Sequence, residues 1–181
     1  MKKPILYTGE KALTRDEYEK LLSVVESVEQ KLMLMIGASL GLRRFDLSRI
    51  VVRNINFEDH TLTYLEKKKG DAPHTVYMPV KLEQELQLFI HDHNKGVNDK
   101  LFSVKDRQLC RWYHRLCEKA GIEKRGIHSL RGTCVKFCQN SGWTIEQCAK
   151  LINDKVSTVQ EHYATPSQSE MKEVTRIKEV I

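Results

Sequence analysis

The helical periodicity of this sequence is interrupted in one place, and the interruption limits the fold. From Asn54 to Pro79 the chain reads NINFEDHTLTYLEKKKGDAPHTVYMP. Alternating Thr, Tyr and Val favour extended backbone, because branched and aromatic side chains pack well on a pleated surface. Glu58-Asp59-His60 and Lys67-Lys68-Lys69-Gly70-Asp71 are charged turn segments, so three strands are expected at Asn54–Phe57, Thr61–Lys67 and His74–Pro79. Strands joined by such short turns pair antiparallel. Elsewhere the apolar residues recur at helical spacing. The expected class is α+β, mainly α-helical with a small three-stranded antiparallel sheet.

The helices announce themselves by their ends. Thr14-Arg15-Asp16-Glu17 is a capping box, and the helix after it should line up Tyr18, Leu21, Leu22, Val25 and Val28 on one face. KLMLMIGASL is more apolar and should be buried, with Gly41 marking its end or a tight approach. Phe45–Ile50 reads as a short helix and Lys81–His91 as a longer one. Residues 106–120 are amphipathic, with Leu109, Trp112, Tyr113, Leu116 and Ala120 in register. Ser129 should cap a helix running to Asn140. Thr144–Gln147 and Ser157–Gln160 are two further capping boxes, the second opening a helix that carries Tyr163 and stops at Pro166. Met171, Val174 and Ile181 form the apolar edge of a last piece. Residues 1–13 read as a tail or linker end, 14–166 as one domain, and 167–181 as a C-terminal tail or helix.

Composition excludes some classes. The 181 residues are 40% apolar and 30% charged, the balance of a soluble globular domain. No apolar run is long enough to span a bilayer, and MKKPILYTGEK has no apolar core for a signal peptide. The five cysteines, Cys110, Cys117, Cys134, Cys138 and Cys148, suit reduced thiols in a cytoplasmic protein. Cys134 and Cys138 lie one helical turn apart but lack partners at zinc-site spacing, so no metal is expected. The net charge of +6 is compatible with a polyanionic partner.

Four groups of residues could do chemistry. His128 and Arg131 face one way at a helix N-terminus, where unpaired N–H groups add positive potential and an oxyanion could bind. A capping histidine beside a salt-bridged arginine would read the same. Arg43 and Arg44 point to different faces, with Asp46 placed to brace a helix turn or orient a guanidinium; a surface pair is the plainer reading. Lys67, Lys68 and Lys69 sit in a strand turn, either solvated or within reach of a phosphate. Arg107, Arg111, Arg115 and Lys119 recur every four residues on one helix face, which suits a phosphate backbone or a solvated surface.

The order of these groups is informative: Arg43, a turn lysine, His128-x-x-Arg131, then Tyr163. In LTRDEYEKLL, ASLGLRRFDLSRI and IHSLRGTCVKFCQNSGWTIEQCAKLINDKVSTVQEHYA the sequence resembles the catalytic domain of the tyrosine recombinases, the phage-integrase superfamily. The resemblance covers most of the chain and implies that residues 14–166 are that catalytic domain. It implies that Tyr163 attacks a DNA phosphodiester, giving a 3′-phosphotyrosyl link and a free 5′-hydroxyl. Arg43 and Arg131 would hold the non-bridging oxygens, His128 would assist proton movement, and a turn lysine, Lys68 by strand alternation with Tyr64 and Glu66, would protonate the 5′-oxygen. The implied partner is double-stranded DNA, bound through the Arg107–Lys119 stripe by a homo-oligomer that forms a tetrameric synapse. The implied location is cytoplasmic and DNA-associated, and no metal or other cofactor is required.

Two departures from the family pattern bear on function. Asn153-Asp154 stands where a Gly-His pair is usual, nine residues before the tyrosine. Asp154 can accept a hydrogen bond, from the tyrosine for example, but an ionised carboxylate cannot donate one to phosphate. This favours an alternative, a catalytically impaired DNA-binding module of the same fold. Full recombinases of the family also carry a helical core-binding domain ahead of the catalytic one. The chain therefore reads as a piece of a longer protein or as a reduced member, and its terminal helix as a segment that could dock on a neighbouring protomer.

Overall fold

The computed structural model describes residues 11–163, 166, 171–172 and 175–176. In chain order these form α1 (Arg15–Ser23), α2 (Val28–Leu40), α3 (Arg44–Leu47), β1 (Ile55–Asn56), β2 (Thr61–Glu66), β3 (Ala72–Tyr77), α4 (Val80–Asp92), α5 (Asp106–Lys119), α6 (Ser129–Asn140), α7 (Ile145–Ile152) and α8 (Val156–His162). Residues 171–172 and 175–176 are also helical. The three strands pair antiparallel in the order β1-β2-β3, with Leu62 opposite Val76 and Tyr64 opposite His74. The expected class and the single sheet are both present.

The apolar α2 is the centre of the packing. Its Leu32, Met33, Leu34, Ile36 and Leu40 are fully buried. α6 lies against it closely enough that a Cβ on Gly37 would stand 2.7 Å from Leu130 Cδ1. Around this pair α1, α4, α5 and the inner face of β2 complete the main core, which includes Leu21, Leu62, Leu86, Leu109 and Tyr113. A smaller apolar cluster joins Cys134 and Val135 of α6 to Cys148, Ala149 and Ile152 of α7, Val159 of α8 and Tyr163. The tyrosine is thus held by its own small core. Leu13 is buried, and its N–H donates to Thr133 Oγ1 at 2.8 Å.

Several expected boundaries shift for local reasons. α1 ends at Ser23, so Val25 and Val28 do not extend its face; Ser27 accepts from Gln30 N–H and starts α2 independently. The short helix expected at Phe45–Ile50 is the four residues Arg44–Leu47. Ser129 is the first residue of α6 rather than its cap, since its hydroxyl is engaged by the Tyr113 hydroxyl at 2.6 Å. Ser157 likewise lies inside α8, whose N-cap is Lys155; the Lys155 N–H is taken by Asp154 Oδ1 at 3.1 Å. α8 ends at His162, ahead of Pro166. Strand alternation stops at Glu66, because Lys67–Lys69 form a 3₁₀ turn closed by Gly70 in the left-handed region. The alternation argument for Lys68 therefore does not hold. Of the expected C-terminal edge, Met171 is half-exposed, while Val174 and Ile181 lie outside the described residues. Among the described residues no helix is long and apolar enough to cross a membrane.

Gly41 ends α2 with φ +66, and a Cβ there would stand 2.7 Å from Ile152 Cγ2. Only glycine satisfies both the backbone and the space. Gly41→Ala should lower stability by about 1–3 kcal/mol, read as a lower urea midpoint at unchanged slope. An unchanged midpoint would show that α2 and α7 do not meet there.

Candidate active site

Helix ends build this site. A helix leaves its last carbonyls without intrahelical partners, and those ends carry partial negative charge. α2 and α7 both terminate at one guanidinium. Arg131 Nη1 donates to Gly41 O at 2.7 Å, and Nη2 donates to Ile152 O at 2.7 Å and to Asp154 Oδ2 at 3.0 Å. The residue is only 1% exposed. A buried charge without such partners would cost several kcal/mol.

Arg43 precedes α3 in extended backbone, which turns its side chain toward the sheet. Its Nη1 donates to Glu66 Oε1, and its Nη2 donates to Asp154 Oδ2 at 3.2 Å. One carboxylate oxygen of Asp154 therefore bridges the two arginines. Burial alone would raise the Asp154 pKa, but the Arg131 hydrogen bond and charge, aided by Arg43, hold it below the usual carboxylate range. Asp154 is ionised at neutral pH. It accepts from the arginines, where the sequence had suggested the tyrosine as its donor. The left-handed backbone at Asn153, φ +50, explains why asparagine can stand where the family usually has glycine.

Tyr163 caps the C-terminus of α8 and is buried. Its hydroxyl lies 3.2 Å from His128 Nε2, and the Arg131 guanidinium carbon sits 5.9 Å from its ring centre. His128 is exposed at the surface. Even so, desolvation by the surrounding protein and the positive charges of Arg131, Arg43 and Lys68 push its pKa down to about 4. The ring is neutral at pH 7, and with its hydrogen on Nδ1 its Nε2 can accept a hydrogen bond from the Tyr163 hydroxyl.

The lysine turn faces the same place. An open cleft of 530 Å³ is lined by Arg43, Lys68, Lys69, Asn153, Asp154, Lys155 and Thr158. Lys67 pairs with Asp71 at 3.6 Å, and Lys69 pairs with Glu66 at 3.4 Å and reaches the Asn153 carbonyl. Lys68 has no ion pair with a described residue, and its charge reaches His128. Buried Asp46, expected to brace a turn or a guanidinium, instead accepts the Lys67 backbone N–H at 3.0 Å and so ties α3 to the lysine turn.

The sequence-predicted Arg43, Lys68, His128, Arg131, Asp154 and Tyr163 are brought together. Arg107, Arg111, Arg115 and Lys119 are exposed on α5 and do not line this cleft; Lys119 pairs with Glu26. The sequence reading missed Glu66, a fully buried carboxylate on the inner face of β2. A charged residue in register with Leu62 and Tyr64 was the available signal. Among the described residues no group of three or more His, Cys, Asp or Glu side chains is placed to hold a metal ion.

Residues 11–170 match the phage integrase family. The tyrosine recombinase XerA of Saccharolobus solfataricus is 29% identical over 147 residues, which cover 80% of this chain and 48% of that protein. The XerA of Pyrococcus furiosus is 25% identical over 177 residues, covering 90% and 60%. The chain thus spans about half the length of the curated relatives it matches. A crystal structure of XerA recombinase superposes with a TM-score of 0.79 at 21% identity, covering 92% of this chain and 64% of that one. XerH bound to a palindromic difH substrate, in a post-cleavage complex, superposes at 0.73 with 17% identity, covering 92% and 52%. At these identities the superpositions establish a shared fold.

The charge arrangement around His128 has a direct readout. Its imidazole should titrate by NMR with a midpoint well below the ordinary 6.5, toward about 4. Because the fold keeps the ring neutral where the unfolded chain protonates it, this contribution to stability is complete above 6.5. It falls away as the pH drops from there toward 4. A midpoint at or above 6.5 would contradict the described cluster.

Proposed function

The chain belongs to the phage integrase family, and from that membership and the geometry of the site we propose that it cleaves and rejoins DNA strands through Tyr163. The observation that carries this reading is the 3.2 Å contact between the Tyr163 hydroxyl and His128 Nε2 beside Arg131. A phenol with a pKa near 10 is a poor nucleophile at neutral pH and needs a base and nearby positive charge. Neutral His128 accepts its proton. The phenolate oxygen forms a bond to phosphorus, the bond to the 5′-oxygen breaks, and the products are a 3′-phosphotyrosyl link and a 5′-hydroxyl. Lys68 supplies the proton to the leaving oxygen. Its freedom from ion pairs with described residues supports this choice over Lys67 and Lys69.

Arg43 and Arg131 stabilise the negative charge that grows on the non-bridging oxygens. Removing one such preorganised donor costs on the order of 10²–10³ in rate in other enzymes. Asp154 keeps the two guanidiniums in register until a phosphate replaces its shared oxygen. The same chemistry run backwards by an incoming 5′-hydroxyl rejoins strands, because the covalent link conserves the bond. The partner is double-stranded DNA, contacted along the exposed Arg107, Arg111, Arg115 and Lys119, and the working assembly is a homo-oligomer that pairs two duplexes as a tetramer. The protein works in the cytoplasm on DNA. Tyr163 serves the site of its own chain, as its packing against His128 favours.

The test uses the full chain and a pool of nicked duplexes of randomised sequence. Covalent complexes resistant to SDS are trapped, sequenced and resynthesised as defined substrates. Wild type should give adducts on a recurrent sequence, and Tyr163→Phe should give none while still binding the duplex. Duplex binding without any adduct from wild type would support the impaired binding module instead. Adducts that persist in Tyr163→Phe would assign the nucleophile elsewhere.

A further inference from the structure

Glu66 is a buried charge that the reaction outlined above does not use. It ends β2 with 0% exposure, on the face that also buries Leu62 and Tyr64. Its two oxygens serve three elements. Oε1 accepts from Arg43 Nη1 ahead of α3. Oε2 accepts from Asn153 Nδ2 at the left-handed end of α7 and pairs with Lys69 Nζ at 3.4 Å in the strand turn. A carboxylate withdrawn from water is stable only when paired and hydrogen-bonded, so each contact constrains its partner as much as the carboxylate itself.

Resting on the strand-cleavage reading above, we propose that Glu66 is the positioning residue for Arg43 and for the lysine turn. Arg43 has two terminal nitrogens, and both are held: one by Glu66, the other by Asp154. Asp154 sits on the cleft side and yields to a phosphate oxygen. Glu66 lies beneath and stays when Asp154 is displaced. It thereby prevents the guanidinium from swinging away at the moment its other edge binds substrate. Through Lys69 the same carboxylate ties down one amine of the turn, which presents the neighbouring Lys68 to the cleft. Asn153 completes the arrangement: its backbone supplies the left-handed residue that α7 needs, and its side-chain amide anchors the far side of Glu66. Charge is required for this role, because a neutral amide in the same place accepts one hydrogen bond from Arg43 without the attraction that fixes it.

The experiment measures single-turnover adduct formation on the defined nicked duplex, with duplex affinity and thermal midpoint recorded in parallel. Glu66→Gln should slow adduct formation by about 10–100-fold, by analogy with the loss of groups that orient metal ligands, and should leave duplex affinity within about twofold. In an Arg43→Lys background the same substitution should add little, because both changes then act on one interaction. A purely structural role would lower the thermal midpoint and slow both backgrounds by the same factor, and that result overturns the proposal. Wild-type-like cleavage by a folded Glu66→Gln overturns it as well. If Glu66→Gln does not fold, Asn153→Gly removes one partner while keeping the left-handed backbone; it should slow cleavage several-fold, and unchanged cleavage would overturn the proposal. Failure of wild type to form adducts would instead count against the strand-cleavage reading itself.

Discussion

The site depends on one guanidinium taken out of water. Arg131 is held by the ends of two helices and by one carboxylate, and each holder does a second job. Gly41 O belongs to a glycine whose backbone ends α2 and whose missing side chain admits Ile152. Ile152 O belongs to the last residue of α7. Asp154 spans to Arg43 and also engages the backbone N–H that precedes α8. Moving Arg131 would therefore disturb α2, α7 and the start of the helix that carries the tyrosine. The cost of burying the charge is offset by carbonyls that helix termini leave unpaired in any case. The fold and the reactive centre share these bonds, so site geometry and packing cannot drift apart.

A second consequence is electrostatic. Arg43, Arg131 and Lys68 crowd one place, and two carboxylates, Glu66 and Asp154, balance part of their charge. Desolvation by the surrounding protein, together with the remaining positive charge, keeps His128 neutral. A protonated imidazole would donate to the tyrosine oxygen and could not take its proton. In the proposed reaction, the cluster that would attract a phosphate thus also maintains the base that would activate the nucleophile.

The residues proposed to touch the reacting groups were legible in the sequence because local patterns mark them. A Gly-Leu-Arg ending an apolar helix, a His-x-x-Arg opening another and a tyrosine after a short helix each have local signatures, and their order did the rest. The supporting shell was not legible. Glu66 and Asn153 are 87 positions apart, and nothing local says that a strand-end glutamate will be buried against an asparagine at a helix terminus. Lys68 was chosen by strand alternation that ends one turn too early, and what favours it is the ion pairing of its neighbours. Ser129 failed as a cap because a capping pattern states what a hydroxyl can do locally, while Tyr113 arrives from elsewhere in the fold and engages that hydroxyl; Ser157 failed because α8 already starts at Val156, behind Lys155.

Arg131 is buried under Tyr163 in the free protein, so a phosphate can reach both arginines only if it displaces the Asp154 oxygen between them. The most direct measurement is a crystal structure of the covalent adduct trapped on its nicked duplex. The expected result is the phosphate esterified to Tyr163, its two non-bridging oxygens within hydrogen-bond distance of Arg43 and Arg131, and Glu66 still on Arg43. A phosphate bound away from Arg131, with the Asp154 bridge between the arginines intact, would contradict it.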